Sequence, residues 1–226
     1  MKKTSVLSLS LSLGIFAGYT HATQVENLVA FAEHVPKSIL VLPPINESPD
    51  IHATNGYWPT VTVPLAEAGY YVFPIAVVDK LLKENGVSNG YDAQSISAEK
   101  LRSIFGADTA LYLKVKQYGS KYQVIQSVSL VEVEAKLVDL NSGALLWEGR
   151  DKLQQSSNDN SNNNLVGMLV GAVINQISNN NSDYAHVLSG HLSHRLYTPD
   201  PKRKKGLLYG PRSPNFTQTS MTPSDN

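Results

Sequence analysis

An open mixed sheet with a long antiparallel hairpin, flanked by helices, in the α/β (α+β) class, is what three features of the sequence predict. Over residues 37–105, short apolar runs bounded by Pro or Gly alternate with helical stripes. From Leu111 onward the pattern changes to strict apolar/polar alternation, which marks half-buried strands. Asn141 and Gly143 then supply turn chemistry before another apolar run, so that run folds back on the preceding strand.

The elements follow in order. "KSILVLPPINES" (37–48) carries the apolar run Ile39 to Pro43 closed by two prolines, which cannot donate to a sheet ladder; it reads as a buried strand with a sharp exit. Residues 49–62 mix Gly, Pro and Asn with Tyr57 and Trp58 and read as a loop entering a helix around Val61 to Ala68, stopped by Gly69. "YYVFPI" (70–75) is a second strand. In "AVVDKLLKENG" (76–86), Val77, Val78, Leu81 and Leu82 form a helical stripe that Gly86 ends. Ser97 is a good N-cap for a helix through Phe105. Leu111, Leu113 and Val115 alternate with Tyr112, Lys114 and Lys116. One long strand is expected from Tyr122 to Leu140, with Val131, Val133, Ala135 and Leu137 against Glu132, Glu134 and Lys136, pairing with Ala144 to Gly149. The Ser/Asn-rich stretch 154–164 reads as a loop, "NLVGMLVGAVINQI" (164–177) as a buried helix, and "SDYAHVLSGHLSHRLY" (182–197) as a helix capped by Ser182 or Asp183.

Residues 1–22 read as a signal peptide: Lys2 and Lys3 precede an apolar run, Thr4 to Phe16, well short of the roughly 20 residues that cross a bilayer. Thr20-His21-Ala22 places small residues where an ordinary signal peptidase cuts, which predicts a periplasmic chain starting at Thr23. Phe16-Ala17-Gly18 would precede the acylated cysteine of a lipoprotein, but Tyr19 holds that place. The expected domain is 23–198, followed by a basic, Pro-containing tail, 199–226, with its last dozen residues disordered.

Charge and composition narrow the function. Without the leader, 17 basic face 19 acidic residues, a formal charge of −2, and nothing points to nucleic acid. With no cysteine the chain has no disulfide, thiolate metal site or thiol nucleophile. His186, His191 and His194 share one expected helix, but they lack the Glu and third ligand of a catalytic zinc site and read as solvated or structural. Ser189-Gly190-His191 has no nucleophile elbow around it. Glu132 and Glu134 share a strand face with Lys136, the ordinary pattern of a solvated sheet. Gly167 and Gly171 permit close helix packing or an oligomer contact, and Lys202 to Lys205 a lipid headgroup contact or a solvated tail. No catalytic, cofactor-binding or metal residue is assigned. Tyr57 and Trp58 fit a partner contact, and burial against the sheet fits them as well.

Together "KSILVLPPINES", "YYVFPIAVVDKLLKENG", "FGADTALYLKVKQYGSKYQVI", "AKLVDLNSGALLWEG" and "GLLYGPRSP" resemble a family of outer-membrane lipoproteins encoded beside curli-secretion-channel-like lipoproteins, of transport-auxiliary type. "LVDLNSGALLW" also resembles a D-x-x-x-G-x-x-x-W hairpin of curli-channel-type periplasmic domains. The resemblance implies a non-enzymatic envelope accessory that binds or helps assemble a secretion or transport complex, with envelope proteins, a curli-channel-like lipoprotein among them, as partners. A periplasmic binding module for a small ligand or cell-wall fragment is the alternative. Family members are expected at the outer membrane through a lipid anchor. Tyr19 departs from that pattern, and membrane association is expected only if the chain is lipidated.

Overall fold

The computed structural model describes residues 31, 35–122, 127–156, 181–202 and 206–216. Among the described residues seven strands form one mixed sheet: β1 (Ser38–Val41), β2 (Ile45–Asn46), β3 (Tyr71–Val72), β4 (Thr109–Gln117), β5 (Ser120–Tyr122), β6 (Ser127–Asp139) and β7 (Leu145–Ser156). β1 lies between β3 and β4 and is parallel to both, while β2 continues its line along β4. β4, β6 and β7 run antiparallel, and β5 pairs with the start of β6 beyond the end of β4. The expected class is therefore the observed one, and the predicted hairpin is present.

Side chains fix the registers. One carboxylate oxygen of Asp108 accepts from the Lys37 and Ser38 amides and the Ser38 hydroxyl, and Ser38 Oγ in turn accepts from the Asp108 amide. That exchange locks β1 beside β4, 70 residues away in sequence. At the hairpin, Asp139 Oδ1 accepts from the amides of Asn141 and Ser142, and Gly143 takes φ of 76°, where a side chain would be strained.

The helices are α1 (Ala53–Tyr57), which passes through a 3-10 turn (Trp58–Val61) into α2 (Thr62–Glu67), then α3 (Ile75–Glu84), α4 (Gly90–Ser95), α5 (Ala98–Phe105) and α6 (Asn181–Tyr197). α6 packs on β6 and β7 and against α1, the 3-10 turn and α2. The chain crosses from β1 to β3 and then back past β1 to β4. Right-handed crossovers in opposite directions put α1 and α2 on one face and α3 to α5 on the other. β1 is thus covered on both sides, and Ile39, Leu40 and Val41 are fully buried. Each such side chain contributes roughly 1.5–3 kcal/mol relative to exposure.

Four sequence expectations change. Residues 49–62 are mostly helical, because Tyr57, Trp58, Val61 and Leu65 make a buried helical stripe and Pro59 sits in the first turn of the 3-10 segment, where a missing N–H costs nothing. The single strand expected from Tyr122 to Leu140 is two, β5 and β6, which pair with each other. β7 continues to Ser156, into the stretch read as loop. The tail joins the domain as far as Phe216: Leu207 is buried, the Gly210 amide donates to Ala68 O, the Arg212 amide to Gly69 O, and the Tyr70 hydroxyl to Leu208 O. The Ser97 cap is observed, its hydroxyl accepting from the Lys100 amide. The helix expected at 164–177, with Gly167 and Gly171, and Arg203 to Lys205 of the basic run lie outside the described residues.

Candidate functional site

Tyr57 and Trp58 are core residues, so their proposed role as a partner contact is corrected. Tyr57 is 0% exposed and Trp58 4%. The indole Nε1 of Trp58 donates to Val41 O at 3.2 Å. The Tyr57 hydroxyl meets that of Tyr197 at 3.0 Å, and burial pushes the Tyr57 phenol up to about 12. Around this pair lies a polar seam between α6 and the α1 region, where Ser193 Oγ and Thr60 Oγ1 are 2.8 Å apart. The amphipathic geometry of α1 and the 3-10 turn points both aromatics inward, as helical spacing requires once Pro59 opens a turn instead of ending one.

The polar residues that invited chemistry on α6 are occupied structurally. Ser189 is fully buried and its hydroxyl donates to the Ala185 carbonyl at 2.8 Å, a back-bond within the helix. His186 Nδ1 lies 2.8 Å from Gly56 O and must be the donor, since a carbonyl only accepts. His194 faces Glu67 at 3.8 Å. Burial and the neighbouring His194 hold His191 below the usual imidazole range. Among the described residues, no three His, Asp or Glu side chains converge as a metal site.

On the opposite face of the sheet, Glu132 and Glu134 both engage Arg150, and Glu47 bridges Lys114 and Lys116. Hydrogen bonds from Lys116 and then Lys114 hold the Glu47 carboxyl below the usual range. The pair of acids is therefore part of a charged ladder across the strands.

The exposed feature that sequence reasoning missed is an aromatic row at the β3 edge. The Arg212 guanidinium sits 5.5 Å from the centre of the Tyr71 ring. Tyr71 meets Phe73 edge-on at 5.1 Å, and Phe73 meets Phe105 at 6.4 Å with the same 76° tilt. Tyr71 is 41% exposed, and Phe73 and Phe105 are half-buried. Three elements present the row. β3 bonds to β1 through the Tyr71 and Phe73 amides, α5 ends at Phe105, and the returning C-terminal segment delivers Arg212. The i,i+2 aromatics of "YYVFPI" carried the signal, but a fully buried strand gives the same pattern.

A mixed sheet flanked by helices, with the buried side-chain polar atoms of the described residues all paired, defines a domain of the α/β (α+β) class. The chain belongs to the GNA1162-like family, described as "Putative lipoprotein GNA1162-like", whose model matches residues 27–212. It is 42% identical over 210 residues to "Putative lipoprotein NMB1124/NMB1162" of Neisseria meningitidis serogroup B, covering 93% of this chain and 96% of that one. It is similar to the crystal structure of lipoprotein GNA1162 from Neisseria meningitidis at 50% identity and a TM-score of 0.54, over 64% of this chain and all of the other. A PelC dodecamer from Paraburkholderia phytofirmans aligns at 15% identity and a TM-score of 0.41, over 70% and 86% of the two chains. The protein is thus an envelope protein of a lipoprotein family, and among the described residues no helix is long and apolar enough to cross a membrane.

Proposed function

We propose that this protein is a non-enzymatic accessory of the cell envelope that docks on, or helps assemble, a secretion or transport complex of curli-channel type. The observation that carries the reading is the row Arg212–Tyr71–Phe73–Phe105. Tyr, Phe and Arg are the side chains enriched where proteins bind proteins, because they bring large contact area with little rotamer freedom to lose. The rigid sheet edge beneath them holds the surface in one geometry. Family membership supports an envelope setting, and the resemblance noted above supplies the class of partner. With Tyr19 in place of a cysteine, the chain acts from the periplasm without a thioether-linked lipid.

The test is co-purification of the mature chain with the curli-channel-like lipoprotein encoded beside family members. Tyr71→Ser and Arg212→Ala are expected to weaken capture about tenfold or more, the scale of a lost interface anchor, while leaving the melting transition in place. Undiminished capture by both variants would refute the assigned surface. Binding of a cell-wall fragment in place of any protein would favour the ligand-module alternative.

A further inference from the structure

We propose that β7 is a self-association edge: two copies pair their β7 strands antiparallel about a two-fold axis at Gly149, joining two sheets into one. β7 is 12 residues long, and among the described residues its strand partner is β6 alone. Among the described residues it therefore presents an open row of backbone donors and acceptors.

The direction of that row follows from Lys152. Its amide donates to Asp151 Oδ1 at 2.8 Å, and its carbonyl accepts from Arg195 Nη2 at 2.6 Å. Both groups therefore point away from β6. With the two-residue period of a strand, the backbone groups of Glu148 and Arg150 point the same way. Arg195, itself clamped to Asp151, closes the Lys152 end of the edge and leaves Glu148 and Arg150 open.

In antiparallel self-pairing, outward residues must oppose outward residues, so the two-fold axis falls on a residue rather than between two. Charge then selects among the axes on residues 148 to 151. An axis on Glu148, Arg150 or Asp151 sets that side chain against its own copy. The axis on Gly149 sets Glu148 against Arg150 of the second copy, twice. Each of these two residues already ends a charged row on its own sheet, Glu148 beside Lys136 at 3.9 Å and Arg150 beside Glu134 at 3.4 Å. Lys114 is in turn registered with Glu134. Joined at Gly149, the row reads Lys114, Glu134, Arg150, then Glu148 and Lys136 of the second copy, alternating in sign across five strands. On the other face the axis is the one place without a side chain, and the Trp147 indole fills it: a Cβ added to Gly149 would lie 2.5 Å from Trp147 Cζ2. The edge is self-complementary in backbone and charge, which selects a second copy over an unrelated strand.

The mature chain should show twice its own mass by light scattering at tens of micromolar, and Glu148→Pro, which removes an outward N–H while leaving the β6 ladder, should show the monomer mass with an unchanged melting transition. Glu148→Arg, which sets Arg against Arg150 of the second copy, decides the matter should the proline variant not fold; it should raise the dissociation constant about tenfold or more. Mixing Glu148→Cys with Arg150→Cys under mild oxidation should give a cross-linked heterodimer faster than either variant gives a homodimer. A monomeric parent chain, a dimer indifferent to Glu148→Arg, or preferential cross-linking of like variants would each overturn the proposal.

Discussion

Removing one hydroxyl from the buried Tyr57–Tyr197 pair should cost different amounts depending on which ring loses it. The two hydroxyls are 3.0 Å apart, and Ser193, whose hydroxyl is 2.8 Å from that of Thr60, also acts to lower the Tyr57 phenol, whereas Tyr57 is the hydroxyl that acts on Tyr197. Tyr197→Phe leaves Tyr57 with the Ser193 hydroxyl to turn to, so the expected loss is one neutral hydrogen bond, about 0.5–1.5 kcal/mol. Tyr57→Phe strands the Tyr197 hydroxyl in the core, adding a desolvation penalty of about 1–3 kcal/mol. The double variant removes both polar atoms, while Ser193 keeps its contact with Thr60 at 2.8 Å. Its cost should therefore fall below the sum of the two single costs by about 0.5–3 kcal/mol. Urea unfolding followed by tryptophan fluorescence measures all three, since Trp58 and Trp147 both lie near the seam. A Tyr197→Phe cost equal to or above that of Tyr57→Phe, or simple additivity, would refute the assigned network.

Gly90→Ala should destabilise by about 1–3 kcal/mol in the same urea assay, because the new Cβ would lie 2.2 Å from the Pro44 carbonyl oxygen, a backbone atom with little room to yield. Burial raises the phenols of Tyr57 and Tyr118 from 10.0 to about 12 in the folded chain. A raised acid stabilises the fold below its unfolded value and loses that contribution as pH rises, so thermal midpoints should fall between about pH 10 and 12, less steeply in the double Tyr57→Phe/Tyr197→Phe variant. Tyr19→Cys should convert a protein found in the soluble periplasmic fraction into one found with membranes and heavier by a lipid in intact mass; a lipid mass on the Tyr19 form would refute the reading of the leader.

Much of the sheet was legible because its signal is local. The alternation through β4 and β6 put Leu111, Val133 and Leu137 in the core, and Asn141 and Gly143 announced the turn, which the structure closes with Asp139 Oδ1 accepting from the Asn141 and Ser142 amides. The same local rule placed Tyr122 at the head of one long strand, whereas Tyr122 ends β5, which pairs antiparallel with the start of β6. At Tyr57 and Trp58, Gly56 and Pro59 read as loop punctuation, yet Gly56 is placed against the Tyr118 ring and Pro59 opens a helical turn. The aromatic row was out of reach because it depends on Arg212 lying over Tyr71, a contact between residues far apart in sequence. The packing of residues 207–212 on the α2–β3 corner was out of reach likewise, since the pairing of Gly210 with Ala68 leaves no local trace.

The return of residues 207–212 onto the α2–β3 corner sets the order in which the chain can fold. Tyr70 finds its hydroxyl partner 138 residues later, and Tyr57 finds Tyr197 after 140. While the chain emerges N-terminus first from a membrane pore, β1 and α2 have neither their parallel neighbour β4 nor the closing segment, so the early third gains little by collapsing. Contacts this distant delay the transition state, because chain-closure entropy is lost before burial repays it. The described fold is therefore completed only once residues 207–212 are available to it, so folding is expected to follow release of the whole chain rather than to proceed during its synthesis.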